Sequence, residues 1–308
     1  MPRESNEIAA RYVTIARVAG LPGMTTLTDT ITLAAGELEA EFAPERGMVA
    51  TSLRHAGEEL LDAGAGRNGV VGIPLLHPWA NRLSAHEYSA RGRTVHLSPR
   101  LLHCEEHGLP IHGVLARSPR WEVIHAGRAA LRARLVFTGE LLEAFPFPHT
   151  IALTITLAPD RLAIATSITA AEPVPIAFGF HPYLRLPGVP REEWLIGLPA
   201  RRHLELDGRS IPTGRGTCRP ATTLQLGHRA FDDGYDRLAP GSAFTLAGGG
   251  RTIAVALESG YPAGQVYSPT AAEFICLEPM TAPTDALRSG AGLRHAASFT
   301  ATFSVRVS

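Results

Sequence analysis

The chain has 308 residues, of which 45% are apolar, so it can bury a large hydrophobic core. Its formal net charge is zero, which excludes the basic surface that attracts nucleic acid or an anionic membrane and favours a small neutral partner. All 29 basic residues are arginine, and the absence of lysine excludes Schiff-base enzymes and phosphate-binding P-loops of the GK[ST] type.

The N-terminal residues and the cysteines indicate where the protein works. The first 20 residues, MPRESNEIAARYVTIARVAG, carry charges throughout and contain no apolar stretch long enough for a signal peptide. Residues 1–25 are expected to form a loosely attached segment with a short helix. The cysteines Cys104, Cys218 and Cys276 are odd in number and widely separated, which is typical of reduced thiols. We therefore expect a soluble, cytoplasmic protein that does not enter a membrane.

Alternating apolar and polar residues predict β-strands along the chain. This period-two pattern is clearest over 131–138, 150–157, 162–169, 252–257 and 299–307. The short turn at 158–161 contains Pro and Asp, so it joins antiparallel neighbours. The only central helix predicted is short, over 139–145, because 30 glycines and 24 prolines leave little room for long helices. The glycine-rich stretch 244–251 is predicted to be a turn, since no helix follows it as a dinucleotide-binding loop requires.

These elements predict an all-β fold. With no sequence repeat and no change of composition, residues 1–308 are expected to form a single domain, a large antiparallel β-sandwich. We expect it to be a monomer or a homodimer.

A histidine-rich loop offers a possible metal site. His107 and His112 are five residues apart, and Cys104, Glu105 and Glu106 supply further ligand types. The segment HCEEHGLPIHG matches none of the usual structural-zinc spacings, and a loop of this kind is more often solvated. We therefore predict no metal, with zinc as the alternative.

One carboxylate lies in an apolar strand. Glu278 follows the apolar run of Phe274, Ile275, Cys276 and Leu277. A buried carboxylate is costly unless it is paired or used in chemistry. Glu278 is therefore the strongest candidate for a catalytic residue.

Several short motifs surround polar residues with Pro, Gly and aromatic residues. They are N-R at 81–82, I-H-G at 111–113 followed by Trp121, H-P-Y at 181–183, D-D-G-Y at 232–235 and E-P-M-T-A-P at 278–283. In this order they resemble the motifs of the aldose 1-epimerase (galactose mutarotase-like) family, and T-S-L-R-H-A-G-E-E-L-L at 51–61 resembles the family's N-terminal strand. The resemblance extends from about residue 30 to the C-terminus. Each motif is weak alone, but five in order are a specific signal.

The resemblance implies a fold, a reaction and a set of site residues. The fold would be a supersandwich with the sugar in an open cleft on its concave face, and the reaction would interconvert the α- and β-anomers of an aldose without a metal or cofactor. By position, Glu278 would be the base and His181 the general acid. The substrate-binding residues would be Arg82, His112, Asp232 and Asn81.

The sequence leaves two points open: which aspartate contacts the sugar, and which sugar is the substrate. Asp233 and Asp236 lie beside Asp232, and only the spacing to Tyr235 favours Asp232 as the sugar contact. Family members close to the galactose enzymes carry Gly-Arg ahead of the Asn-Arg pair, where this chain has the segment 77–79 (His-Pro-Trp). The chain therefore resembles a divergent branch.

Three other functions remain as alternatives. A hexose-6-phosphate 1-epimerase would hold the phosphate with arginines such as Arg185 or Arg191, which we interpret instead as solvated loop charges. A non-catalytic carbohydrate-binding protein would not need both Glu278 and His181. A glycoside hydrolase or lyase would need two carboxylates across the cleft at a fixed separation.

Overall fold

The computed structural model describes residues 30–62, 71–270 and 272–308. The predicted N-terminal segment and its helix lie outside these ranges. Over the described residues, α-helix is confined to two four-residue segments, α1 (Leu141–Ala144) and α2 (Ala286–Ser289). The first of these confirms the short helix predicted over 139–145. None of the described helices has the length and apolar character needed to cross a membrane.

Short β-strands make up most of the described chain. The first thirteen are β1 (Ile31–Ala35), β2 (Leu38–Ala43), β3 (Val49–His55), β4 (Glu58–Glu59), β5 (Leu75–Leu76), β6 (Glu87–Ala90), β7 (Arg93–His96), β8 (His103–Cys104), β9 (Pro110–Ile111), β10 (Glu122–Ala126), β11 (Ala130–Phe137), β12 (His149–Ala158) and β13 (Arg161–Ile176). The others are β14 (Gly179–Phe180), β15 (Tyr183–Leu184), β16 (Leu195–Leu198), β17 (Arg201–Leu206), β18 (Pro212–Arg219), β19 (Thr222–Gln225), β20 (Phe231–Asp236), β21 (Ala243–Gly248), β22 (Arg251–Ser259), β23 (Ala263–Ser268), β24 (Ile275–Met280) and β25 (Arg294–Val307). Single 3₁₀ turns occur at Pro44–Arg46, Pro99–Leu101 and Arg191–Glu193.

Two large antiparallel sheets form the sandwich. The nine-stranded sheet has the order β10-β11-β12-β13-β25-β22-β21-β16-β19. The eight-stranded sheet has the order β18-β17-β20-β23-β24-β14-β5, with β15 also paired to β24. A four-stranded sheet, β1 to β4, and the hairpins β6-β7 and β8-β9 complete the fold. The predicted all-β, antiparallel class is confirmed.

The predicted strands are found close to their expected bounds. Ala158 pairs with Arg161, which confirms the hairpin between β12 and β13. The glycine-rich stretch is a turn in which Gly249 and Gly250 both have positive φ, as a two-residue hairpin of type I′ requires. Strand β13 is longer than predicted because its pairing with β25 continues beyond a register shift between Thr169 and Val174. The alternation in the sequence is interrupted at that shift.

The main core lies between the two large sheets. Phe180 of the eight-stranded sheet packs against Phe303 of the nine-stranded sheet with ring centroids 4.8 Å apart. Ile275 and Leu277 of β24 belong to this buried cluster. Because successive side chains of a strand point to opposite faces, Cys276 and Glu278 lie on the other face of the eight-stranded sheet. That face carries the polar groups described next.

Candidate active site

The register of three neighbouring strands brings polar side chains together. Gln265 of β23 lies directly opposite Glu278 of β24, and Tyr267 lies opposite Cys276. On the next strand, Asp232 of β20 lies opposite Tyr267. Residues opposite each other on adjacent antiparallel strands have Cβ atoms about 5 Å apart. The sheet therefore places one buried acid, one buried amide and one half-buried acid side by side.

Glu278 and His181 are in direct contact. Oε1 of Glu278 lies 3.3 Å from Nε2 of His181, and their side chains are only 1% and 7% exposed. The imidazole of His181 stacks on Tyr183 at 4.5 Å and meets the ring of His112 edge-on at 5.1 Å. These two rings fix the plane of the imidazole, so its Nε2 is held towards the carboxylate.

Burial favours the neutral form of both groups. The pKa of Glu278 is raised well above its usual range, mainly by burial and further by the negative charge of Asp232, while Arg82 partly offsets both effects. Burial lowers the pKa of His181 to about 3. It also places the pKa of His112 well below its usual range, with a smaller contribution from His181. In the protein alone, the proton that the pair shares is therefore favoured on Glu278.

Several buried polar atoms of this cluster have no hydrogen-bond partner among the described residues. They are Oε2 of Glu278, Nδ1 of His181 and Nδ1 of His112. Leaving such a group unpaired costs about 1–3 kcal/mol, so native proteins keep few of them.

Arg82 holds the opposite end of the cluster. Its Nη2 lies 3.1 Å from Oδ2 of Asp232, and its Nε lies 3.4 Å from Oε2 of Glu105. Asp232 also accepts a hydrogen bond of 2.7 Å from the side-chain amide of Gln265. The alternatives to Asp232 are paired elsewhere: Asp233 lies 3.1 Å from Nε2 of His203, and Asp236 forms a two-pronged ion pair with Arg202. The structure therefore brings Asp232, and neither of its neighbours, to Arg82.

Asn81 orients Arg82. Its Oδ1 accepts hydrogen bonds from the backbone N–H of Arg82 at 2.7 Å and from Nη1 at 3.3 Å. Asn81 was predicted to bind the sugar. The oxygen of its side-chain amide is instead bonded to Arg82. Asn81 and His112 both adopt left-handed backbone conformations, with φ of 58° and 64°. Such conformations in non-glycine residues cost energy and are concentrated at functional sites.

Known proteins match the chain along almost its whole described length. The sequence model of the family described as aldose 1-epimerase matches residues 29–305. The chain belongs to the aldose 1-epimerase family. This confirms the resemblance carried by the five motifs and agrees with their extent.

Solved structures share the fold of this aldose 1-epimerase family member. A galactose mutarotase related enzyme from Lactobacillus acidophilus is 20% identical with a TM-score of 0.76, over 91% of this chain and 97% of the other. A galactose mutarotase-like protein from Clostridium acetobutylicum is 18% identical with a TM-score of 0.76, over 90% and 94% of the two chains. An aldose epimerase homologue from C. elegans is 16% identical with a TM-score of 0.74, over 92% and 99%. At these identities the likeness establishes the galactose mutarotase-like fold.

Two residues of the cluster in this aldose 1-epimerase family member were not predicted. Gln265 is buried and donates a hydrogen bond to Asp232, and the carboxylate of Glu105 accepts one from the guanidinium of Arg82. A glutamine in the otherwise apolar strand around Val266 was a usable signal. Its position opposite Glu278, however, depends on a strand register that the sequence does not display.

The fold of this family member separates the two histidines of the histidine-rich loop. Ligand atoms of Glu105, Glu106 and His107 lie within 4.8 Å of one another, whereas the ring of His112 packs against His181 instead. Oε1 of Glu105 accepts the backbone N–H groups of His107 at 2.9 Å and Leu109 at 3.1 Å. One carboxylate oxygen of this acidic group is therefore already used in hydrogen bonds that shape its own loop.

The two arginines considered for a phosphate differ in their surroundings. Arg191 is buried, and its guanidinium donates to Ser268 Oγ at 3.0 Å and to backbone carbonyls, including that of Arg229 at 2.8 Å. The interpretation of Arg191 as a solvated charge is therefore wrong, because the side chain is buried and loop carbonyls accept from both of its terminal nitrogens. Arg185 is half-buried, and its side chain makes no hydrogen bond or ion pair within the described ranges.

Proposed function

We propose that the protein is a mutarotase that interconverts the α- and β-anomers of a free hexose. The observation that carries this proposal is the buried contact of 3.3 Å between Glu278 and His181, beside the group of Arg82 and Asp232. An acid and a base in contact, next to charged groups suited to hydroxyls, match what ring opening requires.

Ring opening is a proton exchange at two oxygens. The carboxylate of Glu278 removes the proton of the anomeric hydroxyl O1, while the imidazolium of His181 protonates the ring oxygen O5. The C1–O5 bond breaks, the aldehyde turns about C1–C2, and ring closure on the other face returns both protons. General acid–base catalysis of this kind contributes about 10²–10⁴-fold when the groups are well placed. Two side chains supply both transfers, so the proposed cycle uses neither metal nor redox cofactor.

The proton shared by the pair must move before the reaction starts. Burial favours the neutral pair, with the proton on Glu278. The 3.3 Å contact joins Oε1 directly to Nε2, so one proton transfer produces the carboxylate and imidazolium that ring opening needs. The hydroxyls of a bound sugar would supply the hydrogen bonds that favour this ionised pair.

Arg82, Asp232 and His112 would hold the sugar hydroxyls. Their restraint matters because the ring must stay in place while the aldehyde turns. The second carboxylate that a glycoside hydrolase needs would have to be Asp232. That residue is already bonded to Arg82 and Gln265, which argues against hydrolysis.

A hexose 6-phosphate is the second candidate substrate. Arg185 favours this substrate because of its place in the sequence. Residues 181, 183 and 185 alternate with Leu184, which is fully buried in the core, so Arg185 is expected on the same side of the chain as His181 and Tyr183. A phosphate usually recruits several converging arginines, however, and Arg191 is already committed to loop carbonyls. We therefore favour the free hexose.

The test is polarimetry on freshly dissolved α-glucose, α-galactose and other α-aldoses, with the spontaneous rate subtracted. Glu278→Gln should lower kcat by at least about 10²-fold without unfolding the protein. An exposed control, Glu143→Gln, should behave as wild type. Near wild-type turnover in Glu278→Gln would end this mechanism, and sugar binding without turnover by the wild-type protein would favour a binding protein.

A further inference from the structure

The loop that follows the strand of Glu278 returns to the segment of Arg82. Oδ1 of Asp285 accepts the backbone N–H of Ser84 at 2.8 Å, and Oδ2 accepts the hydroxyl of Ser84 at 2.9 Å. The N–H of Asp285 donates to the carbonyl of Arg82 at 3.0 Å. Three hydrogen bonds thus join segments that are 201 residues apart in sequence.

The loop is also anchored four residues before this junction. Thr281 donates to the carbonyl of Phe178 through its N–H at 2.9 Å and its hydroxyl at 2.8 Å, three residues before His181. Asp285 is buried and has a left-handed φ of 64°. A non-glycine residue keeps that conformation where its surroundings determine it strongly. The bonds of Asp285 to Arg82 and Ser84, together with those that its carbonyl accepts from Arg288 and Ser289, hold this conformation.

Ser84 receives further charged groups. Nη1 of Arg288 lies 2.6 Å from its hydroxyl oxygen, and Nη1 of Arg209 lies 3.4 Å from its carbonyl oxygen. Because the hydroxyl oxygen accepts from Arg288, its own proton is available for Asp285. Ser84 thus connects the carboxylate of Asp285 to the segment of Arg82.

We propose that Asp285 is a positioning residue: its carboxylate holds Ser84, its backbone N–H bonds the carbonyl of Arg82, and these three bonds keep Arg82 beside Asp232. The inference rests on the proposed mutarotase function, in which Arg82 binds sugar hydroxyls. Asp285 itself does not touch the sugar. Its loss should therefore weaken sugar binding and leave the proton transfers of Glu278 and His181 in place.

The test uses two substitutions that keep the backbone conformation. Glycine adopts a φ of 64° without strain, so Asp285→Gly removes only the carboxylate. Asparagine also tolerates this region and keeps one acceptor for the N–H of Ser84, so Asp285→Asn is the conservative rescue. Ser289→Ala is the matched control, because it removes a bond of 2.9 Å to the carbonyl of Asp285 without affecting Arg82.

Asp285→Gly should raise KM for the hexose at least about tenfold and change kcat less than about threefold. Asp285→Asn should recover most of the loss, and Ser289→Ala should match wild type. In an Arg82→Gln background, Asp285→Gly should have almost no further effect on kcat/KM or on the sugar Kd measured by calorimetry, since coupled residues are not additive.

Three results would overturn the inference. They are a full, additive effect of Asp285→Gly in the Arg82→Gln background, a fall of kcat at unchanged KM, or wild-type KM in a folded Asp285→Gly. If that variant does not fold, Ser84→Ala, which removes the hydroxyl bond to Asp285, is judged by the same coupling to Arg82. An inactive wild-type protein would instead contradict the proposed function, and the sugar Kd would still test Asp285.

Discussion

Glu278 has two properties that lower the stability of the folded protein. It is buried, and one of its oxygens has no hydrogen-bond partner among the described residues. Burial raises its pKa because the ionised form loses its water. A protein that only needed stability would replace it with a neutral side chain of similar shape.

We therefore expect Glu278→Gln to raise the thermal stability while it lowers kcat by at least about 10²-fold. A carboxyl whose folded pKa is raised keeps its full contribution to stability below the unfolded pKa of about 4.3 and loses it as the pH rises. Between the two pKa values, wild type should lose up to about 1.4 kcal/mol per pH unit relative to the variant. Thermal unfolding at about pH 4.5 and about pH 8 measures this. A variant less stable than wild type at the higher pH would contradict the prediction.

The shared proton also predicts the pH dependence of the reaction. The active pair carries one proton, and either residue can hold it between the two macroscopic pKa values. With the pKa of His181 lowered to about 3 by burial, kcat/KM should not fall when the pH is lowered from about 7 to about 5. Because the pKa of Glu278 is raised, the fall of kcat/KM at high pH should lie above the usual carboxyl range. Polarimetry from about pH 4 to about pH 8 measures both limbs, and a loss of activity on acidification near pH 6.5 would contradict the prediction.

At the scale of elements, the loop of His112 depends on a close backbone approach. Gly113 has a φ of 66°, and a Cβ atom there would lie 2.2 Å from the carbonyl oxygen of His77. His77 cannot move easily, since it is buried with its Nε2 2.8 Å from Nε2 of His149. The left-handed turn that presents His112 therefore requires glycine at the next residue.

Gly113→Ala should destabilise the protein by at least about 3 kcal/mol, because a backbone clash adds to the cost of the left-handed conformation. Gly92→Ala is a matched control, since its φ is 73° and nothing lies within 4 Å of the added Cβ atom. That control should lose only about 1–2 kcal/mol. Denaturant unfolding compares the two variants, and equal losses would show that the approach to His77 does not matter.

At the scale of the whole molecule, charge argues against a phosphorylated substrate. The formal net charge is zero, so no general field draws a dianion to the cleft. Close to the catalytic pair the carboxylate of Asp232 is balanced by Arg82, which the sugar hydroxyls are expected to use. A phosphate would have to rely on Arg185.

We expect free glucose or galactose to have a higher kcat/KM than the corresponding 6-phosphate, and Arg185→Ala to change this little. Kinetics on both sugars measure the ratio directly. Arg191→Ala is a poor probe, because its loss would leave buried carbonyls without donors. The opposite result would be a tenfold higher kcat/KM for the 6-phosphate, which corresponds to about 1.4 kcal/mol in transition-state binding. If Arg185→Ala removed that preference, the substrate would be the hexose 6-phosphate and not the free hexose.

The sequence by itself determined the class of fold and the outline of the site. Alternating residues predicted β12, β13 and β25 because a strand facing a core repeats every two residues, a local property. The ordered motifs named Glu278, His181, Arg82, His112 and Asp232, and the fold brings these five side chains to one cluster.

Only the tertiary structure decided how these residues are supported. Gln265 meets Asp232 through the register of β20, β23 and β24, and Asp285 meets Ser84 across 201 residues. The burial of Arg191 likewise depends on carbonyls supplied by loops distant in sequence. Strand register and loop contacts arise from the packing of the whole chain, so no local pattern encodes them.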